Sequence, residues 1–370
     1  MISITLEINR MCNLQCTYCY MGEKDQERMT FETAKNSVEF AIRKIVNEHH
    51  KNRKIDVDFL GGEPLLSFSM IKEIVSYCEQ RKIEEQISFN YTITTNGTVF
   101  SDEIYDFLVK YRFSIKVSLD GDEYVNDLNR KDCNGAGSFK LVERNLHYFR
   151  RYEKETDKLV IVSNVLSKNT YRFYGKTVKY LVEELGFRYI DTGFNSNETW
   201  SVDEMEIIKG IYEKVLLYYF DCAKKETGFM WGIMEESLSK FDNIYRTYSC
   251  GAGTISFYIS FSGNYFLCPS LMDEQYCLGN VNNPHYTTLF QKFIRENSGM
   301  KKVESKKCHI CKYEPYCTVK GCFASSIVKN GTILKPSQES CKRRRIMYDM
   351  IRSNYYELQQ VRASLPFLIQ

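Results

Sequence analysis

The sequence has little proline, six residues in 370, and no apolar run near the ~20 residues needed to cross a bilayer. A membrane span is therefore excluded. It also lacks an excess of charge of one sign, with 50 Lys and Arg against 47 Asp and Glu. No basic field points to nucleic acid and no acidic tail points to disorder. Met1-Ile2-Ser3-Ile4-Thr5-Leu6-Glu7-Ile8 carries neither a basic n-region nor a long apolar core, so no secretory signal is read there and a cytoplasmic protein is expected. Histidine is scarce as well, five residues at positions 49, 50, 147, 285 and 309. What is plentiful is cysteine, present 14 times. Disulfide frameworks belong mainly to short secreted chains, and the cytosol keeps thiols reduced, so metal ligation becomes the leading explanation.

The length suggests two domains and a small third, since a single core rarely grows past ~250–300 residues. The first half reads as strands alternating with amphipathic helices. Ile2–Ile8 alternates with period two, and Thr30 is placed to cap a helix running to about Glu48 with Ala34, Val38, Ala41, Ile42 and Ile45 on one face. Further strands are expected at Ile55–Leu60, Ile87–Thr94, Ser114–Leu119, Leu159–Val165 and Arg188–Asp191, with helices such as Met70–Arg81 and Phe139–Glu153 between them. Six strands with helical crossovers imply a parallel sheet, and right-handed crossovers curl it into a barrel or partial barrel with its chemistry at the C-terminal strand ends. A doubly wound open sheet is the alternative. Residues 1–200 are expected to form this α/β unit, 201–247 a helical bridge, and 248–370 a second domain. That last region is punctuated by Gly and Cys and is too irregular to be held by apolar burial alone. A basic helix from Lys342 closes the chain.

Cys12-Asn13-Leu14-Gln15-Cys16-Thr17-Tyr18-Cys19 sets three thiols on one loop just after the first strand. Three close thiolates can hold three irons of a [4Fe–4S] cube and leave the fourth without a protein ligand. A zinc site would need a fourth ligand, and no His lies near. The x3–x2 spacing, with an aromatic before the third Cys, resembles the radical SAM enzymes. Gly61-Gly62-Glu63-Pro64 at the end of the second strand, Asn96-Gly97-Thr98 at the end of the third, Ser118 and Asp120 after the fourth, and Arg130 fall in the family's order. The resemblance implies a partial (β/α)6 TIM-like barrel that binds S-adenosylmethionine (SAM) at the open iron. Gly61, Gly62, Glu63 and Pro64 would line its amino group, and Asn96, Ser118, Asp120 and Arg130 its ribose and carboxylate. Tyr18 would offer a flat face for adenine. Glycine at a strand end lets backbone approach a ligand, and Glu63 and Arg130 suit an ammonium and a carboxylate. One electron from the reduced cluster, drawn from a reductant such as flavodoxin or ferredoxin, would split the sulfonium and give a 5′-deoxyadenosyl radical that removes a substrate hydrogen.

In the second domain Cys250, Cys268, Cys308-x2-Cys311-x5-Cys317-x4-Cys322 and Cys341 resemble the SPASM (twitch-type) extension, which carries two auxiliary [4Fe–4S] clusters. The departure is x4 rather than x3 before Cys322. A zinc ribbon on Cys308, Cys311, Cys317 and Cys322 is the sober alternative. By the family's interleaved ligation Cys308, Cys311, Cys317 and Cys341 would close one cluster, and Cys250, Cys268 and Cys322 would hold the inner one. Members with a fully ligated inner cluster carry a further Cys where Ser256 stands, so an open inner iron is expected unless Cys277 fills it. Cys78 and Cys222 read as packing residues, and Cys133 as an incidental thiol.

SPASM enzymes usually act on peptides or proteins. The first half, through Leu128-Asn129-Arg130-Lys131-Asp132-Cys133, is close to anaerobic sulfatase-maturating enzymes, which oxidise Ser or Cys to formylglycine and place an Asp after the second SPASM Cys. Here that residue is Pro269. Its absence, with Ser256, favours a maturase of ribosomally made peptides (RiPPs) that joins a Cys thiol to carbon in a thioether, the iron deprotonating the thiol. Asp273 and Glu274 are candidate substitute bases. A separate leader-recognition protein, or direct binding of a Cys-containing peptide, would supply recognition. A non-catalytic zinc- or cluster-bearing binding module is the alternative of another class.

Overall fold

The structure, a computed structural model, describes residues 1–22, 24–47, 53–225, 227–242, 251–297, 306–317, 322–332 and 335–365. The first strands alternate as expected. β1 (Ile2–Glu7) buries Ile2, Ile4 and Leu6 against the helix Phe31–Asn47, which presents Ala34, Val38, Ala41, Ile42 and Ile45 in return. Thr30 Oγ1 accepts from Thr33 N (3.1 Å) and starts that helix, as a cap should. β2 (Lys54–Leu60), β3 (Ser88–Thr95), β4 (Ser114–Ser118), β5 (Ile161–Leu166) and β6 (Tyr189–Phe194) repeat the unit. Their outward phases, such as Ile55, Val57 and Phe59 or Phe89, Tyr91 and Ile93, are buried under helices.

The other phase is polar: Ser3, Thr5 and Glu7 on β1, Asp56 and Asp58 on β2, Thr92 and Thr94 on β3, Lys116 on β4, and Asp191 on β6. The concave face of the sheet is thus a polar lumen. Thr5 Oγ1 donates to Asp58 Oδ2 (3.3 Å) and Lys116 lies 3.8 Å from Asp191 within it.

Strand order separates the two topologies left open by the sequence. β7 (Met230–Trp231) pairs parallel to β6, β8 (Ser256–Ile259) pairs parallel to β1, and β9 (Asn264–Phe266), β10 (Gly279–Asn280) and β11 (Asn283–Thr287) extend the sheet antiparallel. Among the described residues the order is β11-β10-β9-β8-β1-β2-β3-β4-β5-β6-β7. Consecutive strands are neighbours throughout β1 to β7, so the sheet winds in one direction as a partial barrel does, and the doubly wound order does not occur.

Two elements differ from the sequence expectation. The helix expected over Phe139–Glu153 is divided into Phe139–Glu143 and Leu146–Thr156 by a turn at Arg144 and Asn145, where the Asn145 amide donates to the Gly97 carbonyl (2.9 Å). The stretch read as a helical bridge contains Val202–Lys224, opened by a Ser201/Glu204 capping box, and Gly232–Asp242, but also contributes β7. No described helix is long and apolar enough to cross a membrane.

Candidate functional site: a three-cysteine loop on the strand ends

The loop after β1 is clamped from two sides by backbone. Gly62 N donates to the Asn9 carbonyl (2.9 Å) and Glu63 N to the Met11 carbonyl (2.7 Å). A Cβ on Gly61 would stand 2.4 Å from the Asn9 oxygen, and one on Gly62 2.0 Å from the Met11 oxygen. Glycine is therefore required here first for the close approach of the loop itself. On the other side Gln15 N reaches the Lys131 carbonyl (2.6 Å) and Thr17 N the Asn129 carbonyl (2.9 Å).

Glu63 ties the ends of β2 and β3 together. Its fully buried carboxylate accepts from Leu65 N (3.1 Å), Thr95 Oγ1 (2.8 Å) and Asn96 N (2.7 Å). Burial pushes its pKa up to about 7 against those three donors. Pro64 opens the short helical turn Pro64–Ser67 that follows. Asn96 in turn reaches the loop, its amide donating to Asn13 Oδ1 (2.9 Å) and to the Cys12 thiol (3.7 Å). Asn13 Nδ2 continues to Thr98 Oγ1 (2.7 Å).

Tyr18, Asp120 and Arg130 form one buried unit. The Tyr18 hydroxyl and Arg130 Nη2 (3.2 Å) both donate to Asp120, Val165 N donates to it as well (3.0 Å), and the guanidinium lies 5.4 Å from the Tyr18 ring centre. Burial works against the Arg130 charge, yet Asp120, Tyr18 and Cys16 hold its pKa above the ordinary value. Ser118 ends β4 on the lumen face, paired with Ser163.

Cys12, Cys16 and Cys19 are half-buried on this loop. Burial raises the Cys12 and Cys16 thiols, while Lys24 near both and Arg130 near Cys16 oppose it. Sequence reading missed Lys24, whose ammonium also bonds the Leu14 carbonyl, and the lumen carboxyls Glu7 and Asp58. Burial raises Glu7 to about 7 and Asp58 to about 6. The legible signal was an acid in the inward phase of each strand.

In the C-terminal part Cys308, Cys311 and Cys317 all stand close enough to Cys341 to raise its pKa, after burial and against the nearby Arg345. Cys268 and Cys322 line a second place, a cavity of about 700 Å³ that also takes in Tyr20, Phe194, Pro269 and Asp273. Cys250 lies outside the described residues. The β8–β9 register pairs Tyr258 with Phe266 and Ile259 with Tyr265, while Ser256 at the start of β8 pairs with Ser3 of β1 and bridges to Ala252. Cys277 packs instead with Tyr258 and Phe266 and donates to the Gly279 carbonyl (3.2 Å). Glu274 starts the turn Glu274–Tyr276. Cys78 and Cys222 are buried and Cys133 is exposed.

Among the described residues no group of three His, Cys, Asp or Glu side chains is drawn together as a single metal ion demands. A four-iron cube is met by thiolates at its corners rather than at one point, which suits three thiols spread along a loop. The surroundings of Cys16 fit an anionic ligand: Arg130 Nε is buried without a hydrogen-bond partner, and the glycine backbone of 61–62 is bare of side chains.

A singly wound parallel sheet that clamps a three-cysteine loop to its C-terminal strand ends defines a class of cluster-dependent enzyme. Residues 6–181 match the Radical SAM superfamily. They form a radical SAM domain, and the protein is an enzyme with SAM and [4Fe–4S] as its cofactors. The cysteine-type anaerobic sulfatase-maturating enzyme of Clostridium perfringens is 25% identical over 325 residues, covering 83% of this chain and 84% of its own length. The radical SAM cyclopropyl synthase TigE of Paramaledivibacter caminithermalis is 25% identical over 361 residues, covering 92% of this chain and 71% of its own. The solved structure of anSMEcpe with bound AdoMet and Cp18Cys peptide superposes with a TM-score of 0.78 at 19% identity, covering 98% and 99% of the two chains.

Proposed function

We propose that this enzyme modifies a Cys-containing ribosomally made peptide, joining the Cys sulfur to carbon in a thioether. The observation that carries the reading is the cavity of about 700 Å³ lined by Cys268, Cys322, Pro269 and Tyr20. It sets the expected inner-cluster thiols beside a residue of the SAM-cluster loop and leaves Pro269 where a catalytic Asp would be needed for formylglycine. Ser256 stands in the sequence where a further cysteine would close the inner cluster, and Cys277 spends its thiol on Gly279. A substrate thiol then has a corner to occupy.

Bound SAM supplies a hydrogen-abstracting radical when its cluster delivers one electron. The chain's part is to aim and to shield. Cys12, Cys16 and Cys19 would hold the cluster, the backbone of Gly61–Gly62 would line the SAM amino group, and Arg130 would offer its unpartnered Nε to the carboxylate. Asp120 and Tyr18 fix that guanidinium in place. Glu63, its oxygens already engaged, acts by holding the strand ends that carry these groups. Cys308, Cys311, Cys317 and Cys341 would hold the outer auxiliary cluster, and Cys268 and Cys322 with Cys250 the inner one. A low-potential protein donor such as flavodoxin or ferredoxin supplies the electron, and a separate leader-recognition protein can deliver the peptide.

Asp273 lines the same cavity and favours a second reading, oxidation of Ser or Cys to formylglycine with Asp273 as base. Anaerobic co-expression with short Cys-rich peptides, read by mass spectrometry, separates the two. A product lighter by two hydrogens and resistant to thiol alkylation supports the thioether. An aldehyde sinks it. Release of 5′-deoxyadenosine from SAM is expected in the native protein and is lost in Cys16→Ala.

A further inference from the structure

Lys342-Arg343-Arg344-Arg345 invites reading as a solvated basic face of the closing helix, but the helix Gln338–Ser353 distributes it. At 3.6 residues per turn, side chains two positions apart leave opposite sides of a helix. Arg343 is turned to the cavity of Cys268 and Cys322. Its guanidinium lies 4.4 Å from the Phe194 ring centre, Nη2 donates to Ser340 Oγ (3.1 Å), and Cys322 is near enough to interact with its charge, as are Glu339, Tyr212 and Arg344. Arg345 points the other way. Nη2 donates to Cys311 Sγ (3.6 Å), and Cys341, Cys311 and Cys308 are the thiols that act on its charge. Arg344 between them donates to Ser237 Oγ (2.8 Å) and pairs with Glu236 (3.5 Å), which locks the helix onto Gly232–Asp242. Lys342 is left exposed.

We propose that Arg343 and Arg345 are positioning residues that set the reduction potentials of the two auxiliary clusters separately. Arg345 acts on the cluster at Cys308, Cys311, Cys317 and Cys341, and Arg343 on the one at Cys268 and Cys322. The inference rests on the auxiliary-cluster reading above. Each cluster takes up one electron with no accompanying proton, so its net negative charge grows by one. A guanidinium beside a ligand sulfur, by hydrogen bond for Arg345 and by its charge for Arg343, stabilises the more negative state and raises the potential. Arg345 is exposed and acts through its bond to a ligand sulfur, whereas Arg343 is more buried and its field is less screened by water.

The test is a dithionite titration of the fully loaded enzyme followed by electron paramagnetic resonance, on the native protein and the Arg343→Gln, Arg345→Gln and Arg345→Lys variants. Arg345→Gln is expected to lower the midpoint of the outer cluster alone, Arg345→Lys to lower it less, and Arg343→Gln to lower the inner midpoint alone. Unchanged midpoints, or both midpoints moving together in every variant, overturn the proposal. Should Arg345→Gln fail to load the outer cluster, Arg345→Lys decides. A lowered midpoint supports the assignment, whereas a native midpoint or an unloaded cluster makes Arg345 a structural residue only. Native protein holding iron for one cluster overturns the auxiliary-cluster reading itself, an outcome told apart by iron analysis before any variant is made.

Discussion

At the scale of single residues, the site is held by close approach and buried charge. Gly62 has its Cβ direction filled by the Met11 carbonyl, at 2.0 Å from where that carbon would be. No side-chain rotation relieves a backbone clash, so Gly62→Ala is expected to cost ~3 kcal/mol or more. Differential scanning fluorimetry would show the loss, and iron analysis would show failure to load the SAM-binding cluster while auxiliary iron remains. Arg130 is the second case. Asp120 is 2% exposed and Arg130 6%, so Arg130→Met strands a buried carboxylate at ~3–5 kcal/mol. Arg130→Lys, which keeps the charge, should lose less stability but bind SAM more weakly, measurable by equilibrium dialysis. Native-like stability in Arg130→Met would mean that the ion pair contributes nothing. From the sequence Tyr18, Asn96 and Asp120 were legible as expected neighbours of the cofactor. That they also grip one another and the cysteine loop was not, because a hydrogen-bond partner 83 or 102 positions away leaves no local pattern.

At the scale of the element, period-two alternation located β1 to β6 to within a few residues, since one face of each strand had to be apolar for its covering helix. The short β7 and β8 went unread. Two to four residues carry too little alternation, and Phe257-Tyr258-Ile259 is apolar throughout because it is buried on both faces. Strand β1 also carries a pH response. Glu7 is 3% exposed and accepts from Phe261 N (3.2 Å), with its pKa raised to about 7 from 4.5 by burial, in part offset by that bond and by Arg10. The folded state then holds this proton more tightly than the unfolded chain. Its contribution to stability is fully present below pH 4.5 and is lost as pH rises through 7. Melting temperature should therefore fall from pH 5 to pH 8. Glu7→Gln, which stays neutral, should flatten that fall by a contribution on the order of 3 kcal/mol at ~1.4 kcal/mol per pH unit. Equal slopes for the two proteins would refute the assignment. Asp58 and Glu63 act in the same direction, so some slope should remain.

At the scale of the whole molecule, the cysteine-rich C-terminal part continues the barrel sheet. β8 lies alongside β1 with Ile4 opposite Phe257, and Phe257 packs edge-on against Phe40 (5.1 Å) of the first helix. Removing residues 248–370 would bare both the backbone edge of β1 and this aromatic surface. The remaining fragment is expected to aggregate, as size-exclusion chromatography would report, whereas a soluble, cooperatively melting fragment would show that the first 247 residues stand alone. The sequence by itself determined the class of chemistry, because thiol spacing on a short loop and glycine at strand ends are local requirements of cluster binding and backbone approach. It also determined the alternating core, because burial of one strand face dictates residue type at every second position. Only the tertiary structure decided that the sheet winds one way, that the arginine run divides between two sides of a helix, and that Cys277 packs with Tyr258 and Phe266 and turns its thiol to the Gly279 carbonyl. Each of these depends on which distant segments share an edge or a face, and no periodicity within a segment encodes its neighbour.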